Sequence, residues 1–176
     1  MKRKIFTFFT IVALCLSVVF PFLVKVVNAT SSTGTVNASV TAQIFSVSLD
    51  NSDGIAFGTI ATSSTKDTTT AGVNDSTTAT NNGSVAAKFE IKAAASTDWT
   101  LFATADVEKY TMKFCVTTCD SSPSWSSVGI DPSYATLAAS VAKDGTQVFD
   151  LQVGTPTSTA ATGQQAIVVT VLATTP

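Results

Sequence analysis

The chain contains no histidine, and its one arginine is Arg3. Without histidine, the Ser-His and Cys-His pairs of nucleophilic catalysis are excluded, and a common nitrogen ligand of zinc is missing. Charged residues make up only 12% of the sequence, with ten basic and twelve acidic side chains. The sequence therefore predicts no catalytic residues and no confident metal site, and we expect a protein that is not an enzyme.

Residues 1–29 have the pattern of a secretory signal peptide. Basic residues at positions 2–4 precede an uncharged, mostly apolar run over residues 5–24, and Val27-Asn28-Ala29 suits cleavage before Thr30. This run of 20 residues is longer than the apolar region of an ordinary signal peptide, so an uncleaved membrane anchor is the alternative. Either form delivers the rest of the chain outside the cell, to the surface or the medium. We expect contact with the membrane only through this segment.

The exported part of the chain is acidic. Residues 30–176 contain six lysines and twelve acidic residues, which gives a net charge of −6. An acidic surface without arginine lacks the cationic stripe that displaces counterions from nucleic acid, so nucleic-acid binding is excluded. Serine and threonine supply 47 of these 147 residues, so hydroxyl groups keep the surface soluble.

Apolar residues recur at every second position along much of the exported part. The clearest case is residues 85–93, where Val85, Ala87, Phe89, Ile91 and Ala93 alternate with polar side chains. This period of two is typical of a strand with one buried and one solvated face. Similar patterns cover residues 36–49, 55–60, 99–103, 110–116, 148–153 and 166–173, the last apolar on both faces and typical of an interior strand. Residues 135–142 fit either a short strand or one or two helical turns.

Turn residues divide these segments. Asn82-Gly83 and Asp144-Gly145 are dipeptides typical of tight hairpins between paired strands. The sequence predicts an all-β fold, an antiparallel Ig-like sandwich of about eight or nine strands over residues 36–176. Residues 30–35 form a short polar segment ahead of it.

Three phrases of the sequence resemble a known class of module: Ile55-Ala56-Phe57-Gly58-Thr59, the segment 80–85 with its Asn-Asn-Gly corner, and residues 149–153 before a closing strand. Together they resemble the Ig-like or WxL-like modules of prokaryotic cell-envelope proteins. Trp99-Thr100-Leu101 matches the letters of the WxL signature, but cell-wall binding is not carried over on that match alone. The resemblance implies an extracellular, non-enzymatic, structural or adhesive module.

Cys115 and Cys119 are predicted to form a disulfide, because two thiols this close in sequence normally pair in an oxidising compartment. Metal binding or redox chemistry is the alternative. Asp50, Asn51 and Asp53 fit an ordinary turn in which side chains bond the backbone. Calcium is the alternative ligand of that turn and the one cofactor that the sequence leaves open, although the spacing misses the EF-hand register.

Two kinds of surface site complete the sequence-based predictions. Asn37, Asn74 and Asn82 each begin an Asn-x-Ser sequon, which marks a glycosylation site in a host that glycosylates. Trp125, in a polar loop, and Trp99 are candidates for stacking on a glycan or a partner protein, whereas burial would pin them to the domain.

The sequence favours a secreted or surface-displayed structural protein whose partners are other envelope proteins or further copies of itself. One form is a layer or fibre subunit whose segment from Thr30 to Leu49, extended and partly apolar, fills a groove in the next molecule as a donated strand. The alternative is an extracellular carbohydrate-binding module that uses Trp125 or Trp99.

Overall fold

The alternating segments form strands in the described part of the chain. The computed structural model describes residues 32–51 and 53–176. These residues contain no helix and eleven strands: β1 (Val47–Leu49), β2 (Thr65–Asp67), β3 (Thr77–Asn81), β4 (Ala87–Ala93), β5 (Thr100–Leu101), β6 (Lys109–Cys115), β7 (Ser126–Ser127), β8 (Gly129–Ile130), β9 (Ala135–Val141), β10 (Thr146–Gly154) and β11 (Val169–Thr174). The prediction of an all-β fold is confirmed.

Residues Thr41–Pro176 form one compact unit. Residues 32–40 belong to a second unit, contain no strand and are exposed. The predicted signal segment, residues 1–29, lies outside the described residues. Among those that are described, no helix is long and apolar enough to cross a membrane.

Strand β10 is the centre of the larger sheet, which has seven strands. Its first half, Thr146–Phe149, pairs with β3, and its second half, Asp150–Gly154, pairs with β6. Strand β2 pairs with the end of β10, β1 extends the sheet beyond β3, and β5 and β7 pair with β6. All of these pairings are antiparallel except that of β5 with β6.

Strand β4 is the centre of the smaller sheet, which has four strands. Along one edge it pairs with β11, from Val169 opposite Ala93 to Thr174 opposite Lys88. Along the other edge it pairs with β9 and, in parallel, with β8. Strand β11 is therefore an edge strand, which pairs with β4 alone in the described part of the chain.

Both sheets contribute side chains to one hydrophobic core. The predicted faces of β4 are confirmed: its odd-numbered residues are buried, whereas Lys88, Glu90 and Lys92 are half-buried on the other face. Tyr110 of β6 and Phe149 of β10 are among the largest fully buried side chains. Burial of an apolar side chain of this size contributes about 1.5–3 kcal/mol, so this shared core is the main source of the fold's stability.

The two predicted hairpins are wrong, because each corner joins strands of different sheets. Residues 82–86 connect β3 in the larger sheet to β4 in the smaller one, and residues 142–145 connect β9 in the smaller sheet to β10 in the larger one. Gly83 is needed here for close approach, since an added Cβ would overlap the backbone carbonyl of Ile44. The sequence marked the corners correctly but not the strands that they join.

Other sequence-based assignments also change. The structure has eleven strands where about eight or nine were expected. Strands as short as the two-residue Ser126–Ser127 belong to the sheets, but they are too short to show a period of two in the sequence. Residues 36–46 and 55–60 are not strands. Residues 135–141 form a strand rather than helical turns. The expected interior strand at residues 166–173 is instead the edge strand β11, which pairs with β4 alone in the described residues; an apolar run does not show how many strands pair with it.

Candidate functional site

The structure places the sulfur atoms of Cys115 and Cys119 at disulfide distance, with their Cα atoms 5.8 Å apart. Cys115 is the buried last residue of β6, and Cys119 lies in the turn that follows. The Thr118 carbonyl accepts hydrogen bonds from the backbone N–H groups of Ser121 (3.1 Å) and Ser122 (2.8 Å). The pair therefore fastens this turn to the end of β6, as a structural disulfide would.

A buried carboxylate lies beneath that turn. Asp150 pairs with Cys115 in the ladder of β10 and β6, and only 4% of its surface is exposed. One of its oxygens accepts hydrogen bonds from the hydroxyls of Thr68 (2.8 Å) and Ser76 (2.7 Å). The Thr68 hydroxyl also accepts the backbone N–H of Leu151 (2.9 Å). Alternation along β10 had placed Asp150 on the solvated face, and no sequence signal showed that residues 68–76 cover it.

A cleft of about 350 Å³ opens above this carboxylate. Its lining consists of Ser76, Val116, Thr118, Cys119, Asp120, Ser121, Val148 and Asp150. The Asp120 carboxylate accepts the backbone N–H of Thr70 (2.6 Å), and this hydrogen bond lowers the pKa of Asp120 below its ordinary value. The lining thus offers carboxylates and hydroxyls, and its two carboxylates, Asp120 and Asp150, hold the loop over residues 68–76 in place by hydrogen bonds.

The predicted turn at residues 50–54 is fastened to the start of β3. The Asp50 carboxylate accepts the backbone N–H of Thr78 (2.7 Å), and this bond lowers the pKa of Asp50 below its ordinary value. The Asn51 side-chain amide donates to the Asp75 carboxylate (2.9 Å), and the Asn51 carbonyl accepts the N–H of Gly54 (3.2 Å). Asp53 is exposed. These bonds give Asp50 and Asn51 a role in the turn, and calcium binding there stays a prediction.

Within residues 32–51 and 53–176, no group of three or more His, Cys, Asp or Glu side chains is arranged to hold a metal ion. Several acidic side chains instead accept hydrogen bonds from nearby backbone and hydroxyl groups, and four others pair with lysines. Glu108, for example, accepts the hydroxyl of Thr159 (2.7 Å) and the N–H of Ala160 (2.6 Å), and these bonds lower its pKa below the ordinary value.

All three sequon asparagines are exposed. Asn37 lies in the strand-free residues 32–40, and Asn74 lies in the loop between β2 and β3 with a positive φ of 54°. The side-chain amide of Asn82 donates to the Ser48 hydroxyl (2.7 Å). Each side chain is therefore accessible, and glycosylation at these positions stays a prediction.

The two tryptophans differ in their surroundings. The Trp99 ring packs against the core, with its centroid 6.4 Å from that of Tyr110, and its indole N–H donates to the Thr159 hydroxyl (2.9 Å). Burial raises the pKa of the Tyr110 hydroxyl to about 12. Trp125 is half-buried in the polar loop immediately before β7, and it is not among the residues packed against the hydrophobic core of the described part of the chain. Of the two predicted stacking residues, the geometry favours Trp125.

Large apolar side chains are exposed at several places in the described residues, two of which are the segment ahead of β1 and the region of β11. Val36 and Val40, in the segment ahead of β1, are 93% and 95% exposed. Val168 and Leu172, in and beside the edge strand β11, are 62% and 38% exposed. Side chains this apolar are usually withdrawn from water, so both places are candidates for contact with a partner.

Comparisons with models of known protein families, with curated proteins and with solved structures found no match for this chain.

Proposed function

We propose that this chain is a secreted or surface-displayed structural protein, an Ig-like β-sandwich that works through contacts with further copies of itself or with other envelope proteins. The observation that carries the proposal is the uncharged, exposed segment ahead of β1, in which apolar and polar residues alternate. The apolar side chains of such a segment are poorly solvated by water, and their alternation suits the segment to pairing as a strand with another chain. The signal-peptide pattern of residues 1–29 supports delivery outside the cell.

The sandwich architecture is supported by the way in which two sheets share one core. The chain crosses between the sheets five times, at β3 to β4, β4 to β5, β7 to β8, β9 to β10 and β10 to β11, and such crossovers are typical of Greek-key sandwiches. The resemblance to envelope modules at residues 55–59, 80–85 and 149–153 points to the same class. Under this proposal, the disulfide and the hydroxyl-rich surface keep the domain folded and soluble outside the cell.

A non-catalytic role is supported by the composition and by the roles of the acidic groups. The chain has no histidine, and the carboxylates of Asp50, Asp120 and Glu108 accept hydrogen bonds that fasten turns and loops. Acid–base catalysis normally requires groups whose pKa lies near the working pH. The shifts at these three groups run in the opposite direction, since each lowers the pKa of an already acidic carboxyl.

Carbohydrate binding is the second candidate, and the half-buried ring of Trp125 in a polar loop favours it. An aromatic ring that is open on one face can stack on a sugar. If this function holds, an insoluble polysaccharide or a glycan array should retain the wild-type protein and release the Trp125→Ala variant. Equal behaviour of the two proteins would remove it.

The primary proposal is tested by fractionating cells that produce the full chain and measuring the intact mass of the protein. We expect the protein outside the cytosol, beginning at Thr30 when the signal segment is cleaved. Leu16→Asp places a charge in the apolar run and serves as the control, because it should leave a full-length precursor inside the cell. Recovery of the wild-type chain from the cytosol alone would overturn the proposal.

A further inference from the structure

Strand β11 presents an unprotected sheet edge. In the described part of the chain it pairs with β4 alone. Natural edge strands are usually protected by charged side chains, proline or bulges. Residues 151–176 contain no charged residue, and the pairing of β11 with β4 is regular over all six residues of the strand. Strand β11 itself therefore has no charged residue, proline or bulge that would hinder another strand from pairing with it.

The register shows which backbone groups this edge offers. Ala94 N–H donates to the Val168 carbonyl (3.1 Å). In an antiparallel ladder, alternate residues direct both backbone groups to the same neighbour. Thr170 and Leu172 therefore bond to β4, whereas the N–H and C=O groups of Val169, Val171 and Ala173 point toward the free edge. The side chains of these three residues pack against the core and are half-buried, so an added strand would also cover them.

The segment ahead of β1 supplies a matching strand. Residues 36–41 carry apolar side chains at Val36, Ala38 and Val40, alternating with three uncharged polar residues. None of the six belongs to a strand, and all are exposed. From Ile44 onward the backbone is already bonded, since Ile44 exchanges hydrogen bonds with Ser84. These six residues thus match the six residues of β11 in number. Each of the two segments is about 20 Å long when extended.

We propose that residues 36–41 of one copy of this chain pair with the free edge of β11 in a second copy. The apolar residues of the donated strand then cover Val169, Val171 and Ala173, while Asn37, Ser39 and Thr41 face solvent. Donor and acceptor are different segments of the chain, so the contact is head-to-tail, and where it does not close into a ring it repeats to form a fibre or layer. This inference rests on the proposed function, and it names the partner and both contact surfaces.

The donor strand is tested with two variants that add the same charge to neighbouring residues of opposite faces. In Val40→Asp the charge would be buried against the acceptor, whereas in Ser39→Asp it faces solvent. Sedimentation velocity of the chain as recovered from cells should show wild-type oligomers that grow with concentration. We expect association to be at least about tenfold weaker for Val40→Asp and nearly unchanged for Ser39→Asp.

The acceptor edge is tested by Val171→Pro, which removes an N–H that points away from β4 and so leaves that ladder intact. The Val40→Asp protein keeps a normal acceptor, and the Val171→Pro protein keeps a normal donor. Neither should form long oligomers alone, but a mixture of the two should form a one-to-one dimer that cannot grow. A synthetic peptide of residues 33–42 should also bind the Val40→Asp protein, and the same peptide with aspartate at position 40 should not.

The outcomes separate this inference from the proposed function. Wild-type protein that stays monomeric at all concentrations, or Val40→Asp and Ser39→Asp proteins that assemble equally well, would overturn strand donation. Neither result would bear on whether the protein is exported, because cell fractionation tests export separately. If Val171→Pro fails to fold, the peptide experiment decides: binding supports the acceptor edge, and lack of binding overturns it.

Discussion

The side-chain amide of Asn81 donates a hydrogen bond to the backbone carbonyl of Val141 over 2.9 Å. The same nitrogen donates to the carbonyls of Val85 (2.9 Å) and Ala142 (3.2 Å), and the side-chain oxygen accepts the N–H of Gly83 (2.9 Å). Asn81 is fully buried, so no water replaces these bonds. One side chain thus fastens together two of the crossovers between the sheets, the β3–β4 and β9–β10 connections.

We predict that Asn81→Ala lowers the free energy of unfolding by about 1–3 kcal/mol, because buried backbone groups lose their partners. Asn82→Ala is the matched control: its side chain is exposed, and the change should stay within about 0.5 kcal/mol. Urea denaturation of both variants measures the difference. Equal stability of the two variants would contradict the role given to Asn81.

Sequence reasoning identified both corners but could not identify this role. Asn82-Gly83 and Asp144-Gly145 are correct turn signals, and the alternation of β4 correctly gave its buried face. Turn signals, however, do not show which strands lie on either side of a corner in space. Asn81 precedes a turn as any polar residue could, and its four partners come together only when both sheets are formed.

A second buried network of hydrogen bonds predicts a second difference in stability, between variants of the nearby residues Thr68 and Thr70. The Thr68 hydroxyl donates to Asp150 and accepts the N–H of Leu151. Thr68→Val keeps the shape of the side chain but removes both bonds, so we expect a loss of about 1–3 kcal/mol. Thr70→Val, at an exposed position of the same loop, should cost less than about 0.5 kcal/mol. Thermal unfolding of the two variants provides the comparison.

Asp150 also shows what periodicity leaves out. In the sequence, the apolar residues Phe149, Leu151 and Val153 alternate with Val148, Asp150 and Gln152, so the pattern assigns Asp150 to the solvated face. In the structure it is buried because the loop over residues 68–76 folds across it and supplies two hydroxyl donors. Such coverage depends on contacts between residues more than seventy positions apart, which no local pattern records.

The pair Cys115 and Cys119 gives a prediction that reductant tests. Closing a loop this short contributes about 2 kcal/mol through the lost entropy of the unfolded chain. Wild-type protein should therefore unfold at a lower urea concentration after reduction, whereas Cys119→Ser should be equally stable with and without reductant. Intact mass before and after alkylation confirms the state of the thiols. A wild-type protein that does not respond to reduction would argue against a stabilising disulfide.

Stability should fall at acid pH, and Glu108 should contribute to the fall. Hydrogen bonds from Thr159 and Ala160 hold its pKa below the ordinary value of 4.5. The unfolded chain then takes up the proton first, so this stabilisation is present above about pH 4.5 and is lost as the pH falls toward the lowered value. Glu108→Gln should show a weaker dependence of its urea midpoint on pH between pH 5 and pH 3. An unchanged dependence would show that other carboxylates account for the effect.

Hydrogen–deuterium exchange of assembled wild-type protein tests the central claim, strand donation between copies, most directly. Relative to monomeric Val40→Asp, we predict slower exchange at every second amide within residues 36–41, where the N–H points to β11, and at Val169, Val171 and Ala173. Amides in the centre of β10 should exchange equally in both proteins and serve as the internal control. Exchange of residues 36–41 that is as fast in the assembled protein as in the monomer would contradict the account.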